Sequence, residues 1–517
     1  MAISERAKEE VDGKSSTWPH VKGDAPEQTS GQRRNGRVDV PANHGTIPPR
    51  DPMPSDDGDG AFAAFEAKMQ RAEIPEQAIR SFKHYYGQLL RGATGYIASE
   101  EARPLDDVPA LEEVERKGAV PFDILDRTVM IKLNGGLGTT MGLNGPKASI
   151  VVKDGLSFLD IALRHVLHMR QKHHVRLPLI LMNSYNTRSE ARSTLARYPS
   201  FRQDVPHDFV QHKVPRIWKH DLSPVEWPDE PRLEWCPPGH GDIYLALLTS
   251  GMLDKLLDNG FEYALISNVD NLGATIDLNI LAHFVEHDIP ILMEAAARTP
   301  ADRKGGHLAR HPKKGLILRE IAQCPPDEID LFQDTRRYRY FNTNNLWVNL
   351  PRLKSVLAEQ GGMMKLPLIR NEKPVDPRNA DTPPVYQLET AMGQAIGIFP
   401  YAEAIVVPRD RFIPVKDTND LLTVWSDAFY LASDYSLRLD RTRSRKPLVD
   451  LDKRYYGRLD QLRKRFGAGV PSLVNCSTLK VRGDVHFEDH AVLEGDVLIR
   501  NAERTPKQYT IRNATVE

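Results

Sequence analysis

The sequence predicts an α/β protein with a mainly parallel sheet, on three observations. Short apolar runs ending in polar residues recur at "LPLILMNS", "YALISNVDN", "IPILMEAA", "LILREIAQ" and "NNLWVNL". The stretch "LSFLDIALRHVLHMRQKH" sets Leu159, Ala162, Leu163 and Val166 on one helical face. The run Thr128–Leu133 reads as a buried strand that breaks into a glycine-rich loop. Strands alternating with helices form βαβ units, whose crossovers favour parallel pairing. Ligands of such sheets lie beyond the carboxyl ends of the strands. The polar tips Asn183, Asn268, Asp270, Glu294 and Glu320 are therefore expected to line one cleft.

The 517 residues exceed one ordinary core, so two or three domains are expected. Hydrophobic residues at 40% and charged residues at 27% match soluble globular proteins. Lys+Arg and Asp+Glu balance at 69 and 70, which gives no electrostatic case for nucleic acid or an anionic membrane. No apolar run approaches the roughly 18 residues of a spanning helix, and the first residues lack the apolar centre of a secretory signal. Cys236, Cys324 and Cys476 are scattered without metal-ligand spacing, as suits a reducing cytoplasm.

Residues 1–58, including "HGTIPPRDPMPSDDGDG", are too polar to offset their ordering entropy and read as a disordered tail. Phe62, Phe65 and Met69 then open a helical region expected over 59–120. Near the end, "VRGDVHFEDHAVLEGDVLI" repeats Gly-Asp-Val at 483–485 and 495–497. That short period suits a small β-helix, although a pair of hairpin strands carries the same letters.

The loop "IKLNGGLGTTMGLNGPKASI" holds five glycines and two lysines. Glycine lets a ligand approach the backbone without an obstructing Cβ, and successive N–H groups can cradle an anion beside Lys147. A tight strand-to-helix turn is the plainer reading of a lone glycine pair. Two common cradles fail. The dinucleotide fingerprint needs glycine where Met141 stands, and in a Walker loop Lys147 would follow Gly145 directly, whereas Pro146 intervenes.

The words "KLNGGLGTTMG..GPK", "PPGHGDIY", "SNVDNLGAT", "REIAQ", "FNTNNLW", "YQLETAMG" and "VPRDRFIPVK" stand here in that order. Together they resemble the eukaryotic-type UTP–glucose-1-phosphate uridylyltransferases, or UDP-glucose pyrophosphorylases. The resemblance covers the chain from about residue 61 to near its C-terminus. It implies a Rossmann-like glycosyltransferase-A-type nucleotidyltransferase domain over 121–425, a helical linker over 426–467 and a C-terminal left-handed β-helix over 468–517. A homo-oligomer through that β-helix is weakened as an expectation by its shortness, since the chain stops at "IRNATVE".

The reaction implied is the attack of glucose 1-phosphate on the α-phosphorus of UTP, giving UDP-glucose and pyrophosphate with Mg²⁺ as cofactor. Such chemistry needs positioning and charge neutralisation and no protein nucleophile. The resemblance assigns Leu133, Asn134, Gly135 and Gly136 to wrapping the nucleotide and Lys147 to its phosphates. It assigns Gln211 to uracil, Gly239 to packing on the base, His240 to the phosphate–sugar part and Asp270 to Mg²⁺. Asn268, Gly306, Glu320, Asn342 and Asn344 correspond to sugar contacts, and Lys416 to the principal catalytic charge at the α-phosphate. Three rivals fare worse: an N-acetylhexosamine enzyme lacks its "AGGQGTR"-like loop here, a silent sensor would have lost Lys416, Lys147 or Asp270, and a NAD-binding oxidoreductase lacks the fingerprint.

Overall fold

Thr128–Asn134 (β1) is buried along its whole length because helices cover both its faces. In the computed structural model the described residues are 58–503 and 507–509, apart from 115–121, 144, 468 and 489–490. The expected tail over 1–58 lies outside them except Gly58, which starts the first helix.

The central sheet has nine strands. Besides β1 they are Leu179–Asn183 (β2), Asp208–Val210 (β3), Tyr263–Asn268 (β4), Ile291–Ala297 (β5), His307–His311 (β6), Gly315–Arg319 (β7), Tyr340–Asn349 (β8) and Glu403–Val406 (β9). Their order is β7–β6–β8–β4–β1–β2–β3, with β5 paired to β8 and to β9. β3, β2, β1 and β4 run parallel. β8 runs antiparallel to β4, so the sheet is mixed and parallel-rich. The chain reverses through the β6–β7 hairpin, whose turn ends on Gly315 at φ 81.

Side chains of β1 alternate between two cores, as pleated strands require. Val129, Ile131 and Leu133 pack with the helices Ile243–Thr249, Met252–Asp258 and Leu350–Glu359. Met130 packs with Phe158–His173, Leu278–Glu286 and Thr418–Trp425. The helix Phe158–His173 begins where expected. The Ser157 hydroxyl accepts from the Asp160 N–H at 3.2 Å, and the Asp160 carboxylate accepts from the Ser157 N–H at 3.0 Å.

The helices Gly58–Arg71 and Glu76–Leu90 join Phe62, Phe65 and Met69 to Phe82, Tyr86, Val214 and Cys236. Among the described residues beyond Leu90, the expected helical region keeps only the short helix Leu111–Val114. The stretch 426–467, expected as a helical linker, contains the strands Phe429–Leu431, Leu437–Leu439 and Leu448–Leu451 before two short helices. Asp434 accepts from the Ser436 N–H at 3.0 Å, and Tyr435 takes φ 60. That turn folds the segment into a hairpin.

At the C-terminus Leu448–Leu451, Ser472–Arg482 and Val492–Arg500 form one parallel sheet, and Val485–Phe487 pairs with Lys507–Tyr509 in another. The first Gly-Asp-Val word thus leads into the strand Val485–Phe487 and the second lies within Val492–Arg500, in different sheets and not in a hairpin. These small separate sheets are not stacked as a solenoid, and the expected β-helix is not established by them. Leu479, Val481, Val497 and Ile499 join the same core as Phe158–His173. No helix of the described residues is long and apolar enough to cross a membrane.

Candidate active site

The glycine loop leaves β1 and closes on itself. Gly138 N–H donates to the Gly145 carbonyl at 3.0 Å, and Lys147 N–H to the Gly136 carbonyl at 3.2 Å. A Cβ on Gly135 would lie 2.6 Å from Gln211 Oε1, whereas one on Gly136 would meet nothing within 4 Å. Glycine at 135 thus answers a close approach, and at 136 it leaves backbone open to a ligand. Leu133 stands beside Asn268 at the ends of β1 and β4. Asn134 is buried and donates to Asn183 Oδ1 at 2.8 Å.

The loop's lysine meets the expected metal carboxylate: Lys147 Nζ lies 2.5 Å from Asp270 Oδ2. From Asp270 the wall continues to the second lysine, since Val415 N–H donates to the Asp270 carbonyl at 3.2 Å. Lys416 is anchored by its own N–H to Asp420 at 2.9 Å, and its exposed ammonium stands 6.0 Å from the Phe412 ring centroid. Burial pushes the Glu320 carboxyl up to about 7, and the charge of Lys416 opposes that shift. Glu320 backs directly on Gly306, where a Cβ would lie 2.6 Å from its carboxyl carbon. Asn342 donates from its N–H to the Gly306 carbonyl at 3.0 Å and from its amide to Asn344 Oδ1 at 2.7 Å.

Gly239 takes φ 81, and a Cβ there would lie 2.3 Å from the Thr390 carbonyl oxygen. His240 Nδ1 accepts from the Met392 N–H at 3.0 Å. Burial lowers its pKa to about 4, so the ring is neutral near pH 7 and carries its proton on Nε2. Next to Gln211, burial disfavours a charged His212, but the Asp242 carboxylate at 2.9 Å outweighs that and raises its pKa. Its Nε2 faces the Thr249 hydroxyl at 3.0 Å, while that hydroxyl donates to the Leu245 carbonyl. The Asp242 carboxylate also accepts from the His212 backbone N–H at 2.7 Å, and so pins the loop that carries Gln211.

Contacts and strand neighbours thus link thirteen of the fifteen residues singled out in the sequence, while Gly239 and His240 rest on Thr390 and Met392. Two of the expected polar tips are not in the cleft. Asn183 is fully buried and donates to Asp208 at 3.2 Å, and Glu294 is fully buried and paired with Arg411. Each faces the interior because helices cover both faces of the sheet. A cavity of about 890 Å³ beyond β3 shares only Gln211 with the cleft. Among the described residues no cluster of three or more His, Cys, Asp or Glu side chains could hold a metal ion, so an ion at Asp270 would need further oxygens, from substrate or water.

Sequence reading assigned nothing to Lys132, Asn271, Asn345, Thr390, Met392 or Arg411, which lie beneath or beside these residues. All six stand in the family-like words quoted above, and that was the available signal. Lys132 donates to Ser267 Oγ at 2.8 Å and the Ala274 carbonyl at 2.7 Å. Burial, helped by Arg411 and opposed by Glu294 and Asp270, lowers its pKa to about 7.

A family model described as UTP--glucose-1-phosphate uridylyltransferase matches residues 79–494. The chain belongs to that family. The UTP--glucose-1-phosphate uridylyltransferase of Encephalitozoon cuniculi (strain GB-M1) is 38% identical over 430 residues, 83% of this chain and 84% of that one. Its namesake from Hordeum vulgare is 37% identical over 445 residues, 84% of this chain and 91% of that one. Among solved structures, UDP-glucose phosphorylase from Trypanosoma brucei superposes with a TM-score of 0.81 at 42% identity, covering 87% of this chain and 97% of that one. A mutant UDP-glucose pyrophosphorylase from Leishmania major, in complex with UDP-glucose, gives 0.82 at 43% identity, covering 87% and 96%. The uridylyltransferase match embraces every residue of the cleft.

The Glu320 carboxyl offers a test of that burial. A carboxyl raised in the folded state holds its proton more tightly there than in the unfolded chain. Its contribution to stability is therefore lost as pH climbs from the ordinary carboxylate range through about 7. Glu320→Gln cannot ionise, so its melting temperature should gain on the wild type between about pH 5 and pH 7 and level off above that. A difference that stays constant over that range would show that Glu320 is hydrated in the cleft.

Proposed function

We propose that the chain makes UDP-glucose and pyrophosphate from UTP and glucose 1-phosphate, reversibly, by direct displacement at the α-phosphorus. The observation that carries this is the contact of Lys147 with Asp270 at 2.5 Å beside the glycine loop, with Lys416 tethered next to the same aspartate. A phosphate oxygen of glucose 1-phosphate forms the new bond to phosphorus, and the bond to the bridging oxygen of pyrophosphate breaks. Negative charge gathers on the equatorial and leaving oxygens, where fixed cations act with little reorganisation.

Leu133, Asn134, Gly135 and Gly136 wrap the nucleotide in this reading, with Gly239 against the base. Lys147 exchanges its ion pair with Asp270 for the triphosphate. Asp270, so released, would hold Mg²⁺ together with phosphate oxygens, and the metal would neutralise charge on the phosphates. Lys416 faces the α-phosphate. His240, as a neutral Nε2–H donor, serves the phosphate–sugar part, while Asn268, Gly306, Glu320, Asn342 and Asn344 receive the hydroxyls. Short amides and a buried carboxyl suit neutral hydroxyls better than a cation would.

The finer fold and setting belong to the same reading. A Rossmann-like glycosyltransferase-A-type domain over 121–425 is supported by the parallel strands β3–β2–β1–β4. A cytoplasmic setting is supported by three buried free thiols.

Nucleotide choice tests the assignment of Gln211, whose amide complements the N3–H and carbonyl of uracil. Cytosine reverses that edge and leaves buried groups unpaired, at about 1–3 kcal/mol each. Purified protein with glucose 1-phosphate and Mg²⁺ should therefore release pyrophosphate from UTP far faster than from CTP. Equal rates would remove Gln211 from the base site, and no UDP-glucose from UTP would overturn the function.

A further inference from the structure

Beneath the cleft lies an ion pair that the proposed reaction does not use. Glu294 is fully buried and Arg411 nearly so. The guanidinium grips the carboxylate as a fork, Nε to Oε2 at 2.8 Å and Nη2 to Oε1 at 2.6 Å. Trp347 Nε1 donates to Oε1 at 2.9 Å and Asn345 Nδ2 to Oε2 at 3.0 Å. Four donated hydrogen bonds thus converge on one carboxylate.

Arg411 carries that order outward to two loops. Its Nη2 donates to the Thr275 carbonyl at 2.9 Å, and its own carbonyl accepts from Asn271 Nδ2 at 3.2 Å. Asn271 Oδ1 accepts from the Ile413 N–H at 2.9 Å, which joins the residue after Asp270 to the segment leading into Lys416. The fit is close, since a Cβ on Gly273 would lie 2.3 Å from the Asp410 carbonyl oxygen.

We propose that the buried Glu294–Arg411 pair is a positioning unit, locking the loop that bears Asp270 to the loop that bears Lys416. It thereby sets the separation of the two groups across the reacting phosphate. This rests on the reading of Asp270 and Lys416 as phosphate-facing groups. A buried ion pair adds little stability over well-packed apolar residues, whereas a two-toothed grip holds the guanidinium plane and with it Thr275 and Asn271. Displacing a reacting group by about an ångström can cost about a hundredfold in rate.

Glu294→Gln keeps the shape of the side chain and deletes its charge. Measured in the full chain, it should lower kcat by about a hundredfold while KM for UTP stays within about threefold. Hydrogen exchange should rise together over 268–276 and 409–416 while the helix Phe158–His173 stays protected. Arg411→Lys keeps the charge without the fork and should fall between wild type and Glu294→Gln in both measurements. It also serves if Glu294→Gln does not fold. Asp484→Asn breaks a pair with Arg465 at 2.7 Å in the C-terminal region, and should lower the melting temperature without touching kcat. Wild-type kcat in Glu294→Gln would overturn the proposal, as would a rise in exchange spread evenly over the molecule. Failure of the wild type to make UDP-glucose would refute the functional reading instead, and the exchange pattern would still decide whether the pair locks the loops.

Discussion

Lys416→Ala lowers kcat by at least about a hundredfold, the scale for one preorganised charge at a developing oxyanion, and leaves KM for UTP nearly unchanged. The side chain is exposed, and among the described residues no direct carboxylate partner holds its ammonium. Its backbone, by contrast, is fixed on both sides by the Val415–Asp270 and Lys416–Asp420 hydrogen bonds. A tethered main chain with a free head suits a charge that meets negative charge as it forms. Ground-state binding of UTP keeps Lys147 and the open backbone at Gly136, so it should survive. Initial rates over a range of UTP concentrations separate the cases. A raised KM at unchanged kcat would make Lys416 a ground-state contact and move the catalytic role elsewhere.

Asp270→Asn should bring activity near background at millimolar Mg²⁺ with the fold intact. Asparagine keeps the size of the side chain and removes the charge that faces Lys147 at 2.5 Å. Two effects compete. Freeing Lys147 favours phosphate binding, but loss of the carboxylate takes away the chain's own anchor for a divalent cation among crowded phosphates. The second effect should win, because the mutual repulsion of two phosphorylated substrates opposes their approach whether or not Lys147 is paired. Excess metal or Mn²⁺ should restore part of the rate. Rate against metal concentration, measured for both proteins, decides the matter: superimposable curves would reduce Asp270 to a structural partner of Lys147.

The sequence by itself determined the helix from Phe158, the strands β1, β2, β4, β5, β7 and β8, and the glycine loop after β1. These features are written in neighbouring residues, through apolar spacing, a capping pair at Ser157 and Asp160, and residues that tolerate a ligand at the backbone. The family-like words also carry thirteen of the fifteen residues assigned to the cleft, all but Gln211 and Gly306. What they could not name was which polar residues point inward. Glu294 reads like any other strand tip, yet it lies at the bottom of the fold, because its partner Arg411 is 117 residues away. Lys147 and Asp270, 123 residues apart, meet only because β1 and β4 are adjacent and parallel. The antiparallel course of β8, the hairpin inside 426–467 and the small parallel sheets near the C-terminus were likewise decided by tertiary structure. Local periodicity fixes the face an element buries, but the partner on that face depends on the order of strands and on packing between distant segments.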